Sequence, residues 1–550
     1  MDARPDAIAE FFNAERQLIV PLFQRSYEWA EKNWSALWED LLERYEQRAE
    51  PTNVPHFTGA IVTSPAKSIP VGVSKFLVID GQQRLTTLSI ILCAIRSLLP
   101  PDALDRKRIN RLLINDLGEG NDRYKLLPTQ PDRAAYAALV DETAALDSQF
   151  HKALAFFTKR LQGRDSDDQP FDLPAMLETL RTKLHAVAIT LSDADDPYLI
   201  FESLNAKGAP LTQADLIRNY ILLRLRTQDQ EKVYQTSWLP MQGRLGDSLT
   251  EFMRVYLMQS GSDVVKGEIY AALKRRMSAV ADGDVAGEIA TMDEASVEYA
   301  KLLHPQQEAR PRIQKRLKTL NRWEAATTHP FLLLCFRENK AGHLAEGELE
   351  NILGSVESFV IRRAVCEVAT NQLKKIFLSL VREVKGDGTA AAVDANLSAG
   401  QLGRRWPKDA EFQEAWRTYP IYATSNLERC RVILEALEEA AGHKEPATYG
   451  QASVEHVMPQ TLTDEWKAEL GADFEEVYSR RNDTIGNLTL TGYNSTLSNS
   501  PFSAKRALFA QSNFTLNRYF ADVARWDEDA LVRRADALAS AAFKLWPRPS

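Results

Sequence analysis

Residues 76–92, FLVIDGQQRLTTLSIIL, decide the fold of the first part of this 550-residue chain. The β-branched run that ends at Asp80 predicts a strand, and the residues from Gln83 to Leu99 predict a helix that is apolar around most of its circumference. Gly81 lies between them and has no Cβ, so the backbone can approach a ligand closely. The stretch therefore predicts a strand, a tight turn and the start of a buried helix.

The turn itself carries side chains that suit a ligand. Unpaired N–H groups at a helix start favour anions. Gln82 and Gln83 add amide donors. Arg84 can grip a phosphate with two hydrogen bonds, and Asp80 can hold a divalent metal or a ribose hydroxyl. An ordinary Asp-Gly turn with a salt-bridged arginine is the competing interpretation. The chain has no GxxxxGK[ST] sequence, so a nucleotide site here is not a P-loop.

Two further stretches in the first 225 residues concentrate polar and aromatic groups. In residues 20–41, VPLFQRSYEWAEKNWSALWEDL, a polar and aromatic cluster suits stacking on a base with hydrogen bonds along its edge: Gln24, Arg25, Tyr27 and Trp29. Trp34 and Trp38, four residues apart, are predicted to be core anchors of the following helix. In residues 198–222, a turn carries Glu202, Asn205 and Lys207 before a predicted helix that Thr212 caps. That turn is equally compatible with a ligand loop and a solvated turn.

Together these three stretches resemble the N-terminal domain of the GmrS type, which is distantly related to the ParB/sulfiredoxin-like fold. The family pattern is an early QRxYxW, a strand ending in DGQQR followed by LTTL, and FExLNxxGxxLxxxDLIRN. The chain matches it at residues 24–29, 80–88 and 201–219. The resemblance implies nucleotide binding, often with hydrolysis, by Asp80, Gly81, Gln82, Gln83, Arg84, Gln24, Arg25, Glu202, Asn205 and Lys207. Tyr27 and Trp29 are then candidates for sensing a DNA modification.

A second candidate site lies in residues 453–462, SVEHVMPQTL. Hydrolysis of a phosphodiester needs a base that activates water and a cation that stabilises charge on the phosphate. His456 suits the base near neutral pH, and Glu455 can bind a hard cation through oxygen. Downstream, Asn487 lies in a strand-like run, and Lys505 can neutralise the phosphate. A partly buried, hydrogen-bonded histidine is the competing interpretation.

The stretches VEHVMPQTL, IGNLTLT and YNSTLSNSPFSAKR strongly resemble the GmrD-type His-Asn-His nuclease domain, a ββα-metal fold, over about residues 446–515. The resemblance implies that Glu455 is the acidic metal ligand and His456 the general base. It makes Asn487 the central motif asparagine, Asn494 a metal-side residue and Lys505 the lysine after the helix start. Residues 464–481, DEWKAELGADFEEVYSRR, are predicted to form an inserted helix.

The middle of the chain, residues 226–445, is mostly helical in pattern. Ile313, Leu317 and Leu320 follow i, i+4, i+7 spacing. Residues 384–401, VKGDGTAAAVDANLSAGQ, are predicted to be a loop. Four basic residues offer phosphate contacts, although a solvated or ion-paired helix face is the favoured interpretation: Arg362, Arg363, Lys374 and Lys375.

Composition bounds the class of protein. The net charge of −8 argues against indiscriminate coating of nucleic acid, although a local basic groove is compatible with it. Four scattered cysteines without a CxxC pair fit a reducing compartment and disfavour zinc. The sequence has no apolar run long enough for a membrane span and no signal peptide, so a cytoplasmic, bacterial protein is expected.

We therefore expect an α+β multidomain protein, predominantly helical. Residues 1–225 are expected to form a ParB/sulfiredoxin-like nucleotide-binding and sensing domain, residues 226–445 a helical connection, and residues 446–550 an HNH nuclease domain. The resemblance to fused GmrSD enzymes and to SspE-type effectors implies an NTP-regulated DNA endonuclease of anti-phage defence. Its implied cofactors are Mg²⁺ or Mn²⁺ and one of GTP, UTP or ATP.

The expected partner is DNA with glucosylated hydroxymethylcytosine or phosphorothioate. A single nuclease domain per chain predicts nicking, or double-strand cleavage assisted by a homodimer. A nucleotide-sensing DNA-binding regulator with an inactive nuclease domain is the alternative, and a stand-alone NTPase is a third interpretation.

Overall fold

The computed structural model describes residues 2–13, 15–21, 24–50, 54–66, 73–143, 147–192, 212–225, 227–383, 388–422, 427–442, 449–450, 452–492 and 497–549. The chain divides into two compact units, one formed by Met1–Leu239 with Leu273–Gly287 and the other by Pro240–Ala272 with Glu288–Ser550. Helices dominate both units, as expected. The three-part division at residues 225 and 445 stays a prediction.

The first unit contains a six-stranded mixed sheet in the order β1-β6-β3-β4-β2-β5. Its strands are β1 (Asp2–Ala7), β2 (Arg16–Ile19), β3 (His56–Pro65), β4 (Ser74–Asp80), β5 (Leu126–Leu127) and β6 (Leu184–Thr190). β4 pairs antiparallel with β3 and parallel with β2. The strand predicted to end at Asp80 is therefore confirmed, and it lies in the interior of the sheet.

The same unit contains the first helices of the chain. They are α1 (Glu10–Asn13), α2 (Glu31–Glu46), α3 (Gln82–Leu98), α4 (Leu104–Leu113), α5 (Gln130–Val140), α6 (Gln149–Leu161), α7 (Leu173–Lys183), α8 (Gln213–Arg224) and α9 (Thr227–Val233), which continues into a π-helical turn at Tyr234–Trp238. Every residue of α3 from Leu85 to Arg96 is buried, as its apolar circumference predicts. Trp34 and Trp38 are buried, and the Thr212 side chain caps α8. These three predictions are confirmed.

The following helices lead through the middle of the chain into the second unit. They are α10 (Leu239–Leu245), α11 (Leu249–Met258), α12 (Ile269–Ser278), α13 (Val285–Leu303), α14 (Pro311–Arg322), α15 (His329–Lys340), α16 (Glu346–Val365), α17 (Leu373–Glu383), α18 (Ala390–Ala399), α19 (Asp409–Thr418) and α20 (Leu427–Ala440). Ile313, Leu317 and Leu320 form the buried stripe of α14, as their spacing predicts. Among the described residues, no helix combines the length and the apolarity that a membrane crossing requires.

The last part of the second unit brings back a short sheet. β7 (Ser453–His456) pairs antiparallel with β8 (Leu488–Thr491), which follows a 3-10 turn at Ile485–Asn487. The remaining helices are α21 (Asp464–Leu470), α22 (Phe474–Arg481), α23 (Phe502–Phe509) and α24 (Glu528–Leu545), with a 3-10 helix at Thr515–Asp522. The two predicted strands are confirmed. The hairpin and α23 occur in the order that a ββα unit requires.

Two predictions of local structure are wrong. Residues 390–399 form helix α18 instead of a loop, because Thr389 caps an alanine-rich segment whose Ala390, Val393 and Leu397 bury one helical face. Residues 464–481 form two helices instead of one. Gly471, with φ of 89°, lies between them in a conformation that a continuing helix cannot adopt.

Arg362 and Arg363 do not form a solvated face, but Arg362 is ion-paired, since its NH1 lies 2.7 Å from Asp409 Oδ1. Both are buried, and they hold backbone carbonyls: Arg362 Nε donates to Trp546 O at 2.6 Å, and Arg363 donates to Ala369 O and Gly403 O at 2.8 and 3.0 Å. Burial lowers the pKa of both arginines. Both side chains therefore brace turns from a buried position, and Arg362 fits the ion-paired interpretation.

Candidate functional sites

The first candidate site is the turn between β4 and α3. Gly81 has a φ of 93°, in the left-handed region that L side chains rarely adopt. A Cβ at this position would lie 2.9 Å from Ile61 Cγ1 and 3.2 Å from Ala60 O. Glycine is therefore required here both by the backbone conformation and by the close approach of β3.

Asp80 and Arg84 lie before and after Gly81 in this turn, and the charge of Arg84 acts on the Asp80 carboxyl group. Arg84 NH1 donates to Ala60 O at 2.6 Å, and its guanidinium lies so close to Gly59 that an added Cβ there would be 3.0 Å from Cζ. Burial raises the pKa of Asp80, while the positive charge of Arg84 and the Gly81 N–H oppose this. The turn thus carries a partly desolvated acid and an arginine whose guanidinium is bonded to a backbone carbonyl of β3.

The amide of Gln83 is used by the protein itself. Its Oε1 accepts the backbone N–H groups of Glu28 and Trp29 at 3.0 and 3.3 Å, and its Nε2 donates to Ser26 O at 3.0 Å. The sequence predicted this amide as a ligand donor. In the structure it fastens the QRSYEW segment, residues 24–29, to the start of α3.

Two more side-chain amides also bind backbone groups of the protein. Gln82 Nε2 donates to Arg25 O at 3.2 Å, and Gln24 Nε2 donates to Ile79 O at 2.9 Å. The Arg25 guanidinium lies 3.3 Å from a Glu28 carboxylate oxygen. The structure thus brings the QRSYEW segment and the DGQQR turn together, as the resemblance implied, but through backbone contacts of the glutamines.

Tyr27 and Trp29 are placed differently from each other. Tyr27 is buried, its hydroxyl bonds to Thr87 Oγ1 and Trp34 Nε1 at 2.8 Å each, and burial raises its pKa to about 12. Its ring lies 5.0 Å from that of Phe150. Tyr27 therefore belongs to the core in this structure, whereas Trp29 is only partly buried against it. Trp29 is the better placed of the two to stack on a base.

Four predicted site residues fall outside the described residues. They are Glu202, Asn205 and Lys207 of the first site and Asn494 of the second. Their predicted roles stay predictions.

The second candidate site is built on the β7–β8 hairpin. His456 is paired in register with Leu488, and Glu455 with Thr489. Because neighbouring residues of a strand point to opposite faces, the Glu455 and His456 side chains leave β7 in opposite directions. The acid and the base predicted to act together therefore have different neighbours.

Glu455 is engaged by Lys505 of α23. Lys505 Nζ donates to Glu455 Oε1 at 2.6 Å and to the carbonyl oxygen of His456 at 2.8 Å. The Lys505 side chain has no exposed surface, and that of Glu455 is 5% exposed. Burial raises the pKa of Glu455 and lowers that of Lys505, and each partner opposes the shift of the other. Lys505 is thus enclosed with Glu455 and does not reach a surface where a phosphate could meet it.

His456 is held on the other face. Its Nε2 lies 3.0 Å from Asp483 Oδ1, and the Tyr422 ring stands nearly perpendicular to the imidazole at 4.4 Å between centroids. Burial lowers the pKa of His456, while Asp483 opposes this. Sequence reasoning missed Asp483. The signal was its position five residues before Leu488. Because β8 pairs antiparallel with β7 and Leu488 lies opposite His456, the turn before β8 comes close to His456.

Asn487 is the last residue of the 3-10 turn that leads into β8. Its Oδ1 accepts from Met458 N at 2.7 Å and from Trp526 Nε1 at 3.2 Å, and its Nδ2 donates to Met458 O at 2.9 Å and Asn482 O at 2.8 Å. The side chain is fully buried. Asn487 therefore braces the loop that follows His456.

Arg534 of α24 reinforces the same turn. Its NH1 donates to Gly486 O at 2.9 Å and Leu488 O at 2.7 Å, and its guanidinium lies over the Phe520 ring. Burial lowers the pKa of this arginine to about 9. No motif in the sequence singled it out.

The described side chains do not supply a complete metal site. Divalent cations such as Mg²⁺ take several oxygen ligands. Within the described part of the chain, no group of three or more His, Cys, Asp or Glu side chains is arranged to hold a metal, and Glu455 Oε1 is occupied by Lys505. The metal role predicted for Glu455 has no support in this geometry.

Comparison with protein families matches both ends of the chain. The family model described as "GmrSD restriction endonuclease, N-terminal domain" matches residues 8–222, and "GmrSD restriction endonucleases, C-terminal domain" matches residues 406–541. The two matches together cover more than half of the chain, and each contains one candidate site. No curated protein matches the chain.

Proposed function

The chain belongs to the GmrSD restriction endonuclease family, and on that premise we propose that it cleaves modified DNA under the control of a bound nucleotide, in bacterial anti-phage defence. Membership of the family makes the protein a restriction endonuclease with DNA as its substrate. The nucleotide, the DNA modification, the metal and the residues that act are the proposed part.

The pair His456–Asp483 carries the proposal for the cutting step. Because burial lowers the pKa of His456, the imidazole is neutral near pH 7 and has one ring nitrogen available as a proton acceptor. His456 takes a proton from the water whose oxygen forms the new bond to phosphorus as the bond to the leaving oxygen breaks. The β7–β8 pair followed by α23 supports the assignment of this region to an HNH nuclease.

A divalent cation belongs to the proposal on the strength of the family resemblance alone. Mg²⁺ or Mn²⁺ would stabilise charge on the phosphate. The described residues do not form its site, and Lys505 holds Glu455. We expect EDTA to abolish cleavage and added Mg²⁺ or Mn²⁺ to restore it. Full activity in EDTA would remove the cation from the proposal.

The first site is proposed to bind GTP, UTP or ATP. Its support is the turn that carries a partly desolvated Asp80 and the Arg84 guanidinium beside the QRSYEW segment, on a mixed sheet that suits the ParB/sulfiredoxin-like assignment. Trp29 is the proposed contact to a modified base. Glucosylated hydroxymethylcytosine and phosphorothioate are the two marks to test.

The experiment incubates the purified full chain with modified or plain phage DNA, Mg²⁺ and each NTP. We expect cleavage of modified DNA, lost in His456→Ala and retained in His343→Ala, which changes an exposed histidine that pairs with Glu338. Cleavage that survives His456→Ala would rule out His456 as the base.

One observation favours the alternative of a DNA-binding regulator with an inactive nuclease domain. The acid predicted to bind metal is neutralised by Lys505 in a buried pair. This alternative predicts nucleotide-dependent binding of modified DNA with no cut under any metal. A stand-alone NTPase predicts NTP turnover that Asp80→Ala abolishes, and no DNA cleavage.

A further inference from the structure

We propose that Asp483 is the positioning residue of the cutting site: it holds the His456 ring so that Nε2 carries the proton and Nδ1 is left to accept one. The inference rests on the proposed function, in which His456 is the base. It concerns a residue that lies outside the motifs that identify the nuclease domain.

The contact itself determines the tautomer. His456 Nε2 lies 3.0 Å from Asp483 Oδ1. An ionised carboxylate only accepts hydrogen bonds, so the imidazole must donate through Nε2, and a neutral imidazole then has its lone pair on Nδ1. An acid that orients a histidine in this way recurs in sites where histidine is the base.

The loop that carries Asp483 is itself anchored. The Asp483 carbonyl oxygen accepts the Tyr422 N–H at 3.1 Å, and the neighbouring Asn482 donates to Met458 O and Pro459 O at 3.1 and 3.2 Å. These bonds tie the loop to the turn after β7 and to the segment that ends at Tyr422. Asp483 therefore presents its carboxylate from a braced position.

The imidazole is also confined from its face and through its backbone. The Tyr422 ring stands at 82° to the His456 ring, at 4.4 Å between centroids, which limits rotation about the Cβ–Cγ bond. Lys505 Nζ binds the His456 carbonyl oxygen from the opposite face of the strand. The hydrogen bond to Asp483 restrains the His456 ring within its own plane, which neither of these contacts does.

The difference in burial separates this pair from a structural ion pair. The His456 side chain is 7% exposed, whereas that of Asp483 is 42% exposed. An acid that opens to solvent adds little to stability. The Asp483 carboxylate orients the buried His456 ring. Its loss is therefore expected to reduce the rate of cleavage more than the stability of the protein.

The test compares Asp483→Ala and Asp483→Glu with the wild-type full chain on modified DNA. We expect Asp483→Ala to lower kcat by about 10²–10⁴-fold, the range for general acid–base catalysis, with KM for DNA and the melting temperature unchanged. Asp483→Glu restores part of kcat because the carboxylate is kept. Asp464→Ala, at an exposed acid of the same unit, is the control with wild-type kinetics.

The outcomes distinguish this inference from the proposed function. If His456→Ala cuts DNA like the wild type, the proposed base is wrong and the inference fails with it. If His456→Ala is inactive but Asp483→Ala keeps its kcat, or changes only KM or the melting temperature, the inference alone is overturned. In support, Asp483→Ala adds no further loss in the His456→Ala background, because both changes remove one function.

Discussion

At the scale of single residues, Lys505 is a cation whose burial gives it a different partner from the one that the sequence predicts. The sequence predicted a cation for the phosphate, but the structure encloses Lys505 with Glu455 and with the carbonyl oxygen of His456. A charge without exposed surface needs a partner, since an unpaired ion in the interior is costly. The pair therefore holds α23 against β7, immediately beneath the proposed base.

We expect Lys505→Met to lower the free energy of unfolding of the second unit by about 3–5 kcal/mol, because it leaves Glu455 buried without its partner. Chemical denaturation followed by tryptophan fluorescence measures the loss. Lys467→Met, which breaks an exposed pair with Asp464, is the matched control and leaves stability unchanged.

The double variant Glu455→Gln with Lys505→Met sharpens this test. Removal of both charges leaves no uncompensated ion, so a large part of the lost stability returns. Equal stability of wild type and Lys505→Met would show that Glu455 is solvated and that the pair is not closed in solution.

At the scale of elements, two turns are held by side-chain amides that the sequence motifs predict to act in the functional sites. Gln83 fastens the QRSYEW segment to α3 through three backbone hydrogen bonds. Asn487 satisfies all of its four hydrogen-bonding positions with Met458, Asn482 and the Trp526 indole. Amides suit this work because they donate and accept at once and carry no charge that burial would penalise.

We expect Asn487→Asp to lower stability by about 3–5 kcal/mol and to abolish cleavage at the same time. The new oxygen would face the carbonyl oxygens of Met458 and Asn482, where two hydrogen bonds are now made, and a charge would be buried. Thermal unfolding and cleavage are measured on the same sample.

His456→Ala is the contrasting variant, because it should abolish cleavage while the melting temperature stays near that of the wild type. A stable Asn487→Asp protein without cleavage would contradict the bracing role and would instead make Asn487 a participant in the chemistry.

At the scale of the whole molecule, the chain has two compact units, and each carries one of the two matched regions almost entirely within it. The proposed nucleotide site lies in the first unit and the proposed cutting site in the second. The two activities are therefore expected to be separable by single substitutions in the full chain.

We expect Asp80→Ala to weaken nucleotide binding by about 10–100-fold, the loss that one charged hydrogen bond accounts for. His456→Ala should bind nucleotide like the wild type. Titration calorimetry with GTP, UTP and ATP measures both. Asp147→Ala, an exposed acid of the first unit, is the control. Equal affinity of Asp80→Ala and wild type would remove Asp80 from the site.

The sequence alone determined those elements whose signals are local. The strand, glycine turn and buried helix of residues 76–92, the Thr212 cap and the β7–β8 strands are short-range patterns, and all are present in the structure. Where the local signal is mixed, it misleads: the pattern of residues 390–399 predicts a loop but they form a helix, and residues 464–481 predict one helix that Gly471 divides in two. The motifs also sufficed to identify the family.

Only the tertiary structure decided which side chains meet. Asp483 reaches His456 from 27 residues away, and Lys505 reaches Glu455 from 50. Such pairs depend on strand register and helix packing, which no window of sequence encodes. For the same reason the structure, and not the motifs, assigned Gln82, Gln83 and Tyr27 to holding the fold: whether a polar group serves the protein or a ligand depends on what surrounds it.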